Sequence, residues 1–519
     1  MKSGQKLAKK IILRVFQVLV VALLVAGVVI RSGYYLLARP LQGDECSLAQ
    51  NIFETKNLAG FFRPLSYQQA APSGFMMLSA LAFYSFSPYA AELSFRLLPF
   101  LSSLGGLWLF YLLAKKVLKS KPAILLALLL MAFNFNLAEY AQWFKQYSSD
   151  GLIFLAILLS IFYLKVQEWS KFKLVLLGVV YALCIWLSYP SVVAIATVLI
   201  ILLIKKTKIK NLIFLALPVV ISGVGFLISQ RVTVQDNHLH DYWQSGFIAV
   251  NFSNLPALMK NLLLWQFSLW GRDIWVLLIA GLLVLGLLIT LKRIKEDASA
   301  VLVLPFLLAL VLSYARIYPL EARLSLYLIP IIILLACRSF DVPTQKWRDW
   351  HFLLTLPAGI TLCLLTMGIT SWNWPATKRL PETENAPQLL AAAAASMEEE
   401  AVLYVPFDQS INFIFYDNLY RMQTGKDRFE NVWLESGYVA NTYYYGEVHL
   451  DKMLEILDAL PPGIYYYFLA TFYNQKAAVL QLLIDWAATK TDYRVVYTDD
   501  FSNGLIKFVI SEEEVLTEE

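Results

Sequence analysis

MKSGQKLAKKIILRVFQVLVVALLVAGVVIRSGYYLLARPLQGDEC, residues 1–46, opens the chain, and its reading decides the fold. Lys2, Lys6, Lys9, Lys10 and Arg14 crowd ahead of an apolar run over roughly 13–33. That run matches the ~20 residues needed to cross a bilayer. A secretory signal would have a shorter apolar region and a small-residue cleavage site, so the segment reads as a retained anchor. Basic residues mark the cytoplasmic side. Asp44 and Glu45, in Leu41-Gln42-Gly43-Asp44-Glu45-Cys46, therefore fall on the other side, in a short loop emerging from the span.

The rest of the chain repeats this pattern. It is 58% hydrophobic and 16% charged, with 14 Trp, 28 Tyr and 32 Phe, where a soluble protein carries about 25% charged residues. Apolar runs recur over roughly the first 370 positions, more than a soluble core absorbs. The formal charge of +5 matters less than where Lys and Arg fall, and nothing points to nucleic acid. Basic clusters recur at Lys115, Lys116, Lys119 and Lys121, then at Lys165, Lys171 and Lys173. Others follow at Lys205 to Lys210, at Lys292, Arg293 and Lys295, and at Arg338, Lys346 and Arg348. Successive clusters bracket about two crossings, as cytoplasmic loops do.

Spans are expected at roughly 13–33, 94–114, 122–139, 151–167, 173–189, 191–204, 211–229, 274–291, 299–315, 324–340 and 352–372. About 11 transmembrane helices from a cytoplasmic N-terminus leave the C-terminus outside. The reading is a polytopic α-helical membrane protein, with a membrane domain over 1–375 and an extracytoplasmic α/β domain over 376–519. Cys46, Cys184, Cys337 and Cys363 show no paired spacing, and three lie within spans, which argues against a disulfide framework.

Three outer segments are more than connectors. The first, about Tyr34 to Tyr89, holds the acidic pair, then Leu48, Ile52 and Phe53 at helical spacing, then Arg63. Its apolar stretch Gly74 to Phe86 is too short to span and suits the membrane interface. The second, about Gln230 to Asp273, contains His238, His240, Asp241 and a second interfacial stretch, Leu255 to Leu269. Its histidines read as solvated loop residues rather than ligands, so no metal and no cofactor are expected. In the tail, Ala401 to Pro406 and Gly463 to Leu469 read as strands. Gln409 to Tyr420 and Gln475 to Lys490 read as helices, and Tyr493 to Tyr497 with Leu505 to Ile510 as a hairpin. No phosphate loop or nucleophile elbow is present in the tail, which reads as a lid or acceptor platform.

A second polar cluster, Lys145-Gln146-Tyr147-Ser148-Ser149-Asp150, is expected outside between two spans, where Gly, Pro or Asn would make a plain turn. Adjacent acids such as Asp44 and Glu45 are commonly no more than a solvated pair, and Arg323, at the start of a later span, has the alternative of a snorkelling anchor. Taken together these residues fit one task. Transfer of a group from a lipid phosphate needs a carboxylate to deprotonate an acceptor hydroxyl and cations to hold the phosphate. Lys145, Arg63 and Arg323 are the cations placed for it.

The basic N-terminus and single span, the outer loop with Gly43-Asp44-Glu45, Phe144 to Asp150, and Pro319 to Pro330 with Arg323 and Tyr327 resemble the GT-C glycosyltransferases. The nearest branch is that of bacterial protein O-mannosyltransferases and aminoarabinose transferases (glycosyltransferase families 39 and 83). The resemblance implies a GT-C fold and inverting transfer of a sugar from a polyprenyl-phosphate donor to an acceptor hydroxyl, an EC 2.4 activity, at the outer face of the plasma (inner) membrane. It implies Asp44 as base or acceptor-binding group, Asp150 as the second acidic position, and Lys145 and Arg323 near the donor phosphate. Gln146 and Tyr147 go with that segment, and Glu45 is the neighbour of the base with its role open. The outer loops are too short for the β-trefoil insertion of eukaryotic protein mannosyltransferases. Ser47 and Leu48 after the acidic pair depart from the aminoarabinose-transferase pattern. A lipid, a protein or a polysaccharide therefore remain open as acceptors.

A transporter or flippase of a lipid-linked sugar is the alternative. Transporters commonly carry internal repeats and interrupted spans near the midplane. Here no repeat is evident, and the polar groups lie at span ends on one side.

Overall fold

The computed structural model of the chain describes residues 2–86, 90–233, 243–247, 275–292, 296–321, 323–341, 385–406, 410–434, 454, 457–469, 476–490, 492–498 and 503–511. The helices in chain order are α1 (Lys2–Leu36), α2 (Gly43–Glu54), α3 (Ser73–Phe86), α4 (Ala91–Val117), α5 (Lys121–Phe133), α6 (Phe135–Glu139), α7 (Tyr147–Ser160) and α8 (Lys171–Leu187). They continue with α9 (Ser191–Ile204), α10 (Ile209–Thr233), α11 (Trp275–Leu291), α12 (Asp297–Tyr314), α13 (Ile329–Arg338), α14 (Ala386–Ser396), α15 (Ser410–Thr424) and α16 (Lys476–Ala487). The strands are β1 (Val402–Val405), β2 (Val432–Leu434), β3 (Gly463–Leu469), β4 (Tyr493–Thr498) and β5 (Gly504–Ile510). Two compact units result. One comprises Met1–Leu37, Asn57–Ala82 and Phe95–Ala376; the other comprises Ala38–Lys56, Phe83–Ser94 and Thr377–Glu519. The second unit thus includes, besides the tail, two pieces of the first outer loop.

The first unit is helical. Among the described residues, four helices are long and apolar enough to cross a membrane: Leu13–Leu36, Ala91–Val117, Ile209–Ser229 and Asp297–Tyr314. The pair α5 and α6, bent by 54°, makes a fifth if counted as one. A helix lies at every expected span except 352–372, which is outside the described residues. The span expected at 151–167 needs correction. Its helix α7 starts at Tyr147 and stops at Ser160, so Tyr147 to Asp150 form its first turn rather than a connecting loop.

Helix α13 is apolar up to its last residue, Arg338, and each of its ten residues is buried, the mark of a helix at the centre of its unit. It packs against α5 and α11. Gly286 of α11 permits that approach, since a Cβ there would run into the Leu335 carbonyl. Gly178 of α8 likewise lies against the Leu215 carbonyl of α10. Close backbone approach through small residues is how helices gain contact where lipid removes the hydrophobic advantage.

One end of this unit gathers the basic clusters. The Asp341 carboxylate accepts from the backbone N–H groups of Lys119 at 2.8 Å and Ser120 at 2.7 Å. It thereby serves donors at the start of α5 that no helical carbonyl reaches. Arg338, fully buried, pairs with Asp341 at 3.1 Å and Glu296 at 3.5 Å and also donates to the Val117 carbonyl. Lys119 lies 3.6 Å from Glu296, and Lys205 pairs with Asp297 at 2.7 Å. The loops after α4, α9 and α13 and the start of α12 therefore share one end, as the spacing of the basic clusters requires.

The second unit is a small α/β domain with a five-stranded sheet in the order β2-β1-β3-β5-β4. β1 pairs in parallel with β2 and β3, whereas β3–β5 and β4–β5 are antiparallel. The expected hairpin pairing is present as β4 and β5, with a register shift between Val495 and Tyr497. Tyr404, Tyr465, Tyr467, Ile506 and Phe508 face Leu480, Leu483 and Ala487 of α16 in the core on one side of the sheet.

Candidate functional site

The polar segment at the other end of the first unit is positioned by a broken helix. α5 ends at Phe133 because Asn134 leaves the helical conformation (φ −62°, ψ 118°). The Asn134 side chain then caps α6 by accepting from the Leu137 N–H at 2.9 Å. Such a break frees carbonyls in an apolar surround, where an unmet one costs several kcal/mol. Arg31 of α1, completely buried, answers them. It donates to the carbonyls of Ala132 at 2.9 Å, Met131 at 3.1 Å and Gly27 at 3.1 Å, and to Ser103 Oγ at 2.9 Å. Beyond α6 a single 3-10 turn, Tyr140–Gln142, leads into Trp143 and the polar segment.

Within that segment Lys145 Nζ donates to Gln69 Oε1 at 2.7 Å, and Gln146 Nε2 to the Ala70 carbonyl at 3.4 Å. Ser148 Oγ donates to the Tyr140 carbonyl at 3.0 Å, and the Ser149 and Ser102 hydroxyls lie 3.0 Å apart. Asp150 occupies the first turn of α7, the end at which the helix dipole favours an anion. Only 3% exposed, it has an Oδ1 atom with no hydrogen-bond partner among the described residues, and the Ser188 side chain faces the carboxylate as a hydrogen-bonding neighbour. The Tyr327 hydroxyl is buried and has no partner among the described residues either. Burial of its hydroxyl pushes Tyr318 well above the ordinary tyrosine range, and Asp150, Tyr327, Tyr147 and Tyr189 nearby add to the rise. That hydroxyl donates to the Leu324 carbonyl at 3.1 Å. The result is a buried carboxylate ringed by tyrosine and serine hydroxyls. Buried polar atoms without partners in a folded protein call for water or a ligand.

Arg323, first residue of the 3-10 turn Arg323–Leu328, sits over the Trp243 ring at 4.7 Å. This cation–π contact fixes the guanidinium against an aromatic face. Arg63 ends the 3-10 turn Leu58–Phe62 and is exposed. Among the described residues no group of three His, Cys, Asp or Glu is placed to hold a metal. His238, His240, Asp241 and the stretch Leu255 to Leu269 lie outside the described residues.

The acidic pair belongs to the second unit, and it too is helical rather than looped. Asp44 and Glu45 form the first turn of α2, whose N-cap is Gln42. Glu45 is fully buried. Its Oε2 pairs with Arg39 at 2.9 Å and accepts from the Gln42 N–H at 3.2 Å. This is the acidic arm of a capping box, returning from the third helical position to the N-cap N–H. Asp44, one residue earlier, is only partly buried. The chain enters this turn through Ala38 at φ 45°, a left-handed conformation that residues with a Cβ rarely adopt. Leu41 N–H donates to the Tyr416 hydroxyl of α15 at 2.7 Å. Phe53 of α2 stacks on Phe415 with centroids 5.4 Å apart, and Asn418 Nδ2 donates to Gln50 Oε1 at 3.2 Å.

Lys145, Gln146, Tyr147 and Asp150 thus come together at one end of the first unit. Asp44 and Glu45 diverge in environment, the first partly exposed and the second locked into a buried ion pair. Sequence reasoning missed Arg39, Gln69, Ser188, Tyr318 and Tyr416. Arg39 alone had a local signal, a cation a few residues ahead of the acidic pair.

No protein-family model matches the chain, and no curated protein matches it. Solved structures do. The apo structure of ArnT from Cupriavidus metallidurans aligns with a TM-score of 0.51 at 14% identity, covering 93% of this chain and 97% of that one. The structure of the same protein bound to undecaprenyl phosphate aligns at 0.49 and 14%, covering 95% and 98%. The chain shares the fold of that apo ArnT structure.

Proposed function

We propose that this protein is a glycosyltransferase that moves a sugar from a polyprenyl-phosphate donor to an acceptor hydroxyl on the extracytoplasmic face of the inner membrane. In this reading Asp44 takes the acceptor's proton as its oxygen bonds to the anomeric carbon. The bond from that carbon to the phosphate oxygen breaks, and polyprenyl phosphate departs with the bonding pair. Lys145, Arg323 and Arg63 supply positive charge for the phosphate. Asp150, with Gln146 and Tyr147, offers acceptors and donors to the sugar, and Glu45 holds the turn that carries Asp44. The proposal includes the eleven-crossing topology with a cytoplasmic N-terminus and the tail outside. The acceptor is a lipid, a protein or a polysaccharide.

The observation that carries the reading is the Asp150 carboxylate, buried among hydroxyls at the end of the first unit away from the basic loops. A carboxylate kept there without a cation among the described residues is costly and marks a functional position. The GT-C fold agrees with the assignment. ArnT itself has been crystallised with undecaprenyl phosphate, a lipid of the class proposed here as carrier.

The test is a panel of radiolabelled polyprenyl-phosphate sugars offered to the purified protein with a cell-envelope extract. Label appearing in the acceptor fraction supports the transferase and names the sugar. Intact donors throughout, with labelled lipid crossing a reconstituted bilayer, would replace it with the transporter.

A further inference from the structure

The turn that presents Asp44 is tied to the tail at one atom. The Tyr416 hydroxyl accepts from the Leu41 N–H at 2.7 Å and lies 3.3 Å from Glu92 Oε1, to which it donates. Tyr416 is 5% exposed and Leu41 is fully buried, so the bond between them is shielded from water. Leu41 is also the residue whose carbonyl faces the Cys46 thiol at 3.5 Å, one helical turn into α2. Directly after it, Gln42 starts α2 by accepting from the Glu45 and Cys46 N–H groups, each at 2.7 Å. The Tyr416 hydroxyl therefore grips the residue just before the N-cap of the helix that bears Asp44. Three sequence-distant pieces, at 41, 92 and 416, meet there within one unit.

We propose that Tyr416 is a positioning residue that sets the N-terminal turn of α2, so that the tail helps build the site rather than covering it. The catalytic half of this statement rests on the reading of Asp44 as base; the positional half does not. Without the hydroxyl, the Leu41 N–H loses a buried partner, and a turn already strained at Ala38 gains freedom to shift. Misplacement by about 1 Å at a reacting group can cost up to about 100-fold in rate.

The experiment compares the full-length wild type with Tyr416→Phe, which removes the hydroxyl and keeps the ring. Two readouts are taken: the rate at which maleimide labels Cys46, followed on its peptide by mass spectrometry, and kcat with KM for the active donor. Cys46 is fully buried in the wild type. Labelling in Tyr416→Phe should rise about fivefold, the effect of losing one hydrogen bond from a local opening equilibrium. Its kcat should fall about tenfold with donor KM unchanged. Phe415→Leu, which thins the packing on Phe53 but leaves the hydroxyl, should lower Tm while keeping kcat per folded molecule. Glu92→Gln keeps an acceptor and should behave as wild type.

Wild-type labelling of Cys46 in Tyr416→Phe would overturn the proposal. So would a kcat loss of the same size in Phe415→Leu. If the wild type transfers no sugar at all, the functional reading fails, and the Cys46 labelling still decides the positional one.

Discussion

Two adjacent carboxylates, Asp44 and Glu45, share a helical turn and have opposite fates. Glu45 is held through its Oε2 by Arg39 and by the Gln42 N–H, which makes it the brace of the turn. Removing one member of a buried ion pair typically costs about 3–5 kcal/mol, because the other is left charged and alone. Glu45→Gln should therefore lower Tm in detergent by several degrees, and Arg39→Met added to it should recover most of the loss. A double mutant less stable than Glu45→Gln alone would show that the two side chains do not form a unit. Little of this was legible beforehand. The acidic pair and the Lys145 to Asp150 segment stand out because charge is scarce in this chain. Which partner each charge takes is settled by tertiary packing, as with Lys145 and Gln69, 76 positions apart.

At the level of elements, the break between α5 and α6 matters most. Residues 122–139 read as one apolar crossing in sequence, yet the helix turns by 54° at Asn134. Asn134 offers a cap and so hints at a stop. The other half of the device, Arg31, lies about 100 positions earlier and cannot be paired with the break by local pattern. Arg31→Met would leave the carbonyls of Met131 and Ala132 without their charged donor, at about 1–3 kcal/mol for each unmet buried group. Its Tm should drop, and transfer should fall with it because the segment bearing Lys145 and Asp150 hangs from this bend; Arg31→Lys should recover part of both. A variant as stable and active as wild type would mean that the bend holds without the guanidinium. Glycines give a paired prediction on α11. Gly286→Ala drives a methyl into the Leu335 carbonyl and should sharply reduce the yield of folded protein, while Gly281→Ala meets nothing within 4 Å and should be neutral. Equal yields from the two, measured by size-exclusion chromatography, would argue against close packing of α11 on α13.

For the whole molecule, the expected sidedness of the chain comes from the simplest signal, the recurrence of Lys and Arg. That rule is local and additive, so it needs no knowledge of packing, and the joined network of Lys119, Glu296, Arg338 and Asp341 agrees with it. The make-up of the second unit was not legible, because contacts such as Phe53 on Phe415 join residues 362 positions apart, which no periodicity encodes. The division matters for function, since the helix with the proposed base is a component of the tail's unit and not of the helical one. The central claim is that Asp44 performs the transfer chemistry, and it is tested most directly with Asp44→Asn. The variant and wild type, matched for folded protein, are given the active polyprenyl-phosphate sugar, and transferred label is followed over time. The account predicts that Asp44→Asn transfers at least about 100-fold more slowly while folding and inserting normally. Near-normal transfer by that variant would contradict it.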